Sequence, residues 1–125
     1  MENALLIGLS RQMVLSRELD IVANQVLGAA HALEAWYMIA DLMALGYSKS
    51  WISAALGKNG HSLQFTRHAI KARNFMAVKR LWNDTAEPRH AQTANERTAA
   101  TRSRNYSVAL KNRLDTERSR RRRAS

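Results

Sequence analysis

A chain of 125 residues with a single proline, Pro88, and five glycines has few places at which a helix must stop. Proline lacks the N–H that a helix interior needs, and glycine gives up more backbone freedom than any other residue. Between Gly8, Gly28, Gly46, Gly57, Gly60 and Pro88 the sequence is rich in Ala, Leu, Met, Arg and Lys, the residues that lose least on entering a helix. The expected fold class is all-α, a small helical bundle with one modest core, which is as much as this length can build. There is no cysteine, which excludes disulfides and cysteine zinc sites. The histidines His31, His61, His68 and His90 form no i, i+4 pair, so neither a metal site nor a cofactor is expected.

Apolar spacing divides the chain into segments. Leu5, Leu9, Met13, Leu19, Val22 and Val26 recur at helical intervals over residues 3–27, with Gly28 placed to cap the end. Residues 29–45 carry a broad apolar face (Leu33, Trp36, Tyr37, Ile39, Ala40, Met43, Ala44) ended by Gly46. Residues 48–56 start at a Ser cap and stop at Gly57, and a fourth helix is expected over residues 60–68. A fifth, residues 72–84, is expected to bury Phe75, Met76, Val78, Leu81 and Trp82 and to expose Lys71, Arg73, Lys79 and Arg80. After Pro88 large apolar residues become rare. Tyr106, Leu110 and Leu114 allow a marginal helix, and the run Arg118–Arg123 is expected to be disordered by charge repulsion. The organisation expected is an amphipathic N-terminal helix (1–27), a helix-turn-helix domain (28–86) and a basic, largely disordered tail (87–125).

Residues 48–67 fit a helix-turn-helix in several respects. Ser53 is small where the two helices approach, Ile52, Leu56 and Trp51 serve as anchors, Gly57 turns the chain, Asn59 caps and Leu63 anchors the second helix. Lys58 and Thr66 depart from the pattern, since both stand where apolar residues usually lock the helices. On such a second helix His61, Gln64, Arg67 and His68 would face bases; Gln suits adenine and Arg guanine. Lys49, Lys58, Lys71, Arg73, Lys79, Arg120, Arg121, Arg122 and Arg123 are expected on phosphates, where they position without reading sequence.

Charge is unevenly distributed. Residues 1–46 hold two basic residues against five acidic ones, a net −3, whereas residues 47–125 hold eighteen against five, a net +13. A segment that basic suits a polyanion, and double-stranded DNA is the expected partner, with RNA an alternative through the arginine-rich tail. No apolar run is long enough to span a bilayer and no basic region precedes Ala4–Leu9, so the expected address is cytoplasmic, with no membrane partner. No nucleophile–base spacing, phosphate-cradling glycine loop or metal set is found. No catalytic residues, and hence no enzyme, are expected.

Two resemblances follow from these residues. GAAHALEAW leading into DLMALGYSKSWISAALG, then HAIKARNFMAVKRLWND and ERTAATRSRNY, resembles small helix-turn-helix proteins common in actinobacteria and their phages, over residues 28–106. That resemblance implies a DNA-binding protein, a transcriptional regulator, with a further helix behind the motif and a basic tail. MENALLIGLSRQMVLSRELDIVANQ, residues 1–25, is similar to the start of flagellar basal-body rod proteins, where the opening helix joins an axial helical layer. It implies helix–helix assembly. Separately, a homodimer would suit two DNA half-sites, and this helix is its expected surface. The β-rich body of that family does not follow Leu27, so a complete rod subunit is not expected.

Overall fold

The structure, a computed structural model, describes residues 24–57 and 65–124. It is mostly helical, as the scarcity of breakers requires. The element order is β1 (Val26–Leu27), α1 (Ala29–Ala44), α2 (Lys49–Ala55), β2 (Ile70–Lys71), α3 (Ala72–Asp84) and α4 (Ala94–Ala124). α1 is the central element: α3 and α4 both pack on it, and α2 closes one end. Its buried residues, among them Ala32, Ala35, Met38, Ile39, Leu42 and Met43, occupy more than one face, because helices cover it from several sides.

α1 ends at Gly46, whose φ of +99° only glycine adopts readily. The Gly46 N–H donates to the Met43 carbonyl and the Tyr47 N–H to that of Leu42, the paired bonds of a Schellman cap. α2 then begins at Ser48, whose hydroxyl accepts from the Trp51 N–H at 3.1 Å, and it turns out at Gly57 (φ +78°). These two helices and their caps are where the sequence placed them, as is α3.

Four expectations are corrected. First, Val26 and Leu27, expected to close a helix, instead pair with Lys71 and Ile70 as an antiparallel ladder. The Ala72 N–H, an orphan donor at the start of α3, reaches back to the Gln25 carbonyl at 2.8 Å, and Gly28 starts α1 instead of ending a helix. Residues 1–23 lie outside the described residues. Secondly, the helix expected over residues 60–68 is absent from its described part. Residues 65–69 are irregular, with Thr66 Oγ1 accepting from the N–H groups of His68 and Ala69 in a local turn. Thirdly, α3 buries Ala72 and Val78, with Phe75 and Leu81 packed at the core edge, but Met76 and Trp82 are exposed. The Trp82 indole N–H instead donates at the rim to Asp41, at 3.2 Å.

The fourth correction is the largest. The expected largely disordered tail is α4, a helix of 31 residues and about 46 Å. Large apolar residues are few, but Ala100, Ser103, Ser107, Leu110 and Leu114 form one inward stripe against α1. The small members let the backbones approach, and Ser107 Oγ donates to the Ala40 carbonyl at 2.6 Å. Tyr106, expected in that stripe, is 55% exposed. At the edges Lys111 pairs with Asp41 at 2.9 Å, and the Tyr37 hydroxyl donates to Asp115.

The start of α4 is capped by its own sequence. Thr93 Oγ1 accepts from the Glu96 N–H, and the Glu96 carboxylate accepts from the Gln92 N–H at 2.8 Å, a variant of the capping box. The hydrogen bond from Gln92, ahead of that from Thr93, holds the Glu96 carboxyl below its ordinary value and outweighs desolvation. A depressed carboxyl stabilises the fold above its unfolded-state value and loses that contribution as pH falls through the folded one. Acidification is therefore expected to fray the first turn of α4 before the core melts. Amide protection at residues 96–98, corrected for the intrinsic exchange rate at each pH, should fall on acidification in the native chain and lose that response in Glu96→Gln.

Candidate nucleic-acid interface

α4 carries ten Arg and Lys residues against Glu96, Asp115 and Glu117, a net charge of +7 on one helix. With the stripe through Leu110 and Leu114 turned inward, these cations fall on two flanks. Arg97, Arg104, Lys111 and Arg118 are spaced by seven residues and form one line. Much of that line is engaged: Lys111 pairs with Asp41, and the Arg118 guanidinium lies 4.5 Å from the centre of the Tyr37 ring. Partial burial, ahead of the bond to Asp115, raises the Tyr37 hydroxyl above its ordinary value despite Arg118.

On the other flank Arg102, Arg113 and Arg120, eleven and seven residues apart, return to one direction within about 20°. All three are exposed, and they span about 27 Å along the axis. Arg120 makes a loose pair with Glu117 at 3.7 Å, its own side chain 74% exposed. Lys49, the first residue of α2, extends this flank: its ammonium lies 5.6 Å from the Tyr106 ring and 6.0 Å from that of Trp36.

The phosphate candidates thus occupy different settings. Lys49, Arg120 and Arg123 are exposed on or beside the second flank of α4. Lys71 in β2 and Arg73 and Lys79 in α3 are exposed elsewhere, with Arg73 donating to Asn24 Oδ1 at 3.1 Å. Arg122 lines a groove of about 550 Å³ with Ala29, Leu33, Tyr37 and Arg118. Arg121 continues the inward stripe. Its guanidinium donates at 3.0 Å to the carbonyls of both Ala29 and Arg67, and it pairs with Glu117 at 3.3 Å.

Of the base-reading candidates, His61 and Gln64 lie outside the described residues, as does Lys58 among the phosphate candidates. Arg67 is half-buried and His68 exposed in the irregular stretch, with His68 Nδ1 3.4 Å from an Arg121 nitrogen. That stretch is fixed to α1 as well: Phe65 packs on Trp36, whose indole N–H donates to the Thr66 carbonyl. Arg102, Arg113 and Tyr106 are not among the residues that the sequence alone marks for this flank. The eleven-and-seven spacing was the available signal, but it has meaning only once residues 94–124 are known to be helical.

No three His, Asp or Glu side chains gather as a metal ion would need among the described residues. No helix among them is long and apolar enough to cross a membrane.

No family model matches the chain, and no solved structure matches it. Among curated proteins, the flagellar basal-body rod protein FlgF of Caulobacter vibrioides is 56% identical over 43 residues, which is 34% of this chain and 16% of that protein. The chain therefore spans about one-sixth of the length of that relative. The match gives partial support to the similarity with rod proteins, and the helix-turn-helix family finds no counterpart in these comparisons.

Proposed function

We propose that the chain is a DNA-binding protein, a sequence-preferring regulator that grips the duplex backbone through α4. The observation that carries the reading is the exposed flank of Arg102, Arg113 and Arg120 along one side of α4, extended by Lys49 of α2. Cations in fixed positions along about 27 Å release several condensed counterions from a backbone with little further loss of chain entropy. Sequence preference falls to the segment that follows Gly57, with His61, Gln64, Arg67 and His68 as its base-reading candidates. Arg67 and His68 lie in the irregular stretch of residues 65–69, so on this reading they reach bases from a loop.

A salt series on a labelled duplex tests this. Four phosphate contacts correspond to a slope of log K against log salt of about −3.6, and alanine at Arg102, Arg113 and Arg120 together should flatten it by nearly 3. The reading is overturned by absent duplex binding, or by affinity that does not change between low and physiological salt.

The partial match to a rod protein favours a second reading, assembly through the N-terminal segment. Removing residues 1–23 separates the two. Loss of self-association with DNA binding retained assigns that segment to assembly and leaves the duplex reading standing.

A further inference from the structure

Between the start of α2 and α4 lies a groove of about 300 Å³, lined by Met43, Ser48, Lys49, Arg102, Ser103 and Tyr106 among others. Its walls combine exposed cations with an exposed aromatic ring. Lys49 and Arg102 are exposed, and neither is paired with a carboxylate among the described residues. Tyr106 is 55% exposed on a rigid helix, although its neighbours in sequence, Ser103, Ser107 and Leu110, bury their side chains. Its hydroxyl has no hydrogen-bond partner among the described residues. The core does not explain a ring in that position; its partner among the described residues is the Lys49 ammonium, 5.6 Å from the ring centre, which places a cation beside the aromatic face.

We propose that this groove holds one unpaired nucleotide of a nucleic-acid strand, its base stacked on Tyr106 and its phosphate between Lys49 and Arg102. The chemistry fits such a ligand in both halves. A nucleobase offers a flat π-face, and stacking on an aromatic side chain contributes about 1–3 kcal/mol per base whatever the sequence. The adjoining phosphodiester supplies the anion that the two unpaired cations lack, and the Ser48 hydroxyl, occupied as acceptor for the Trp51 N–H, retains its own proton to donate. A duplex cannot offer this face, because its bases are stacked on one another, so the groove selects single-stranded or locally opened nucleic acid. The inference rests on the nucleic-acid reading above and narrows it: the flank holds a backbone, and this groove takes a base.

The test compares an oligothymidine single strand with a hairpin duplex, by fluorescence anisotropy at one salt concentration, using the full chain. Tyr106→Ala is expected to weaken single-strand binding about tenfold and duplex binding less than twofold, while Tyr106→Phe keeps both. Arg102→Ala should weaken both. Thermal melts of the variants are expected to match the parent, since the ring is exposed. Single-strand affinity unchanged in Tyr106→Ala, or equal losses on both probes, overturns the groove while leaving the duplex reading intact. A chain that binds neither probe overturns both.

Discussion

Replacing Leu114 by alanine is expected to destabilise the protein by about 2–5 kcal/mol, the range for deleting a fully buried leucine side chain. Leu114 is 0% exposed and lies in the contact between α4 and α1, so the cavity would open inside the core and not at its edge. For a domain of this size each kcal/mol lowers Tm by several degrees, and a fall of about 10 °C or more should be read in a thermal melt. Val108 on the same helix is 62% exposed, and Val108→Ala is expected to stay within about 0.5 kcal/mol. The contrast tests the order of α4 itself. If residues 94–124 did not pack, both substitutions would be silent.

Gly46→Ala is the second large effect expected, about 2–4 kcal/mol, from two causes that add. A φ of +99° costs any L side chain backbone strain. A Cβ built there would also lie 3.1 Å from Cβ of Ala100, a position buried in the α4 stripe with no flexible atom to give way. Gly57, at φ +78°, has nothing within 4 Å of its Cβ position. Gly57→Asn should therefore cost less than about 1 kcal/mol, because asparagine visits left-handed angles and meets no neighbour there. Denaturant midpoints of the two variants, measured side by side, separate backbone strain from crowding.

These two sites also show what the sequence could and could not reveal. Gly46 and Ser48 were readable because capping is local: a residue with a special φ, or with an oxygen one turn from an open N–H, acts on its immediate neighbours. α4 was not readable by the same means. Ala100, Ser103 and Ser107 make up the first half of its inward stripe and look like tail composition until an alanine-rich α1 stands opposite; Leu110 and Leu114 are its large apolar members. The sequence TANE at residues 93–96 was the one local sign of its start. The short ladder of Val26 and Leu27 on Lys71 and Ile70 was hidden for a related reason, since two residues set no period. For the candidate site, charge pointed to the half of the chain that holds α4, but linear spacing did not show which cations share one flank of that helix. Arg121 looked like its neighbours in RSRRRR, yet the register of α4 turns it towards two backbone carbonyls. Tyr106 looked like a core residue and faces outward.

The Ser107–Ala40 hydrogen bond joins positions 67 residues apart, and that between Arg121 and Ala29 joins positions 92 apart. During synthesis α1 therefore emerges long before the helix that covers it. At about 5–20 residues per second the ribosome needs seconds to make the intervening chain. Through that interval the face of α1 that carries Ala29, Tyr37 and Ala40 has no partner from α4, and the delay adds to the chain's exposure to aggregation. Closing so long a loop also places α1–α4 docking late among the folding steps, so substitutions confined to that contact should speed unfolding more than they slow folding.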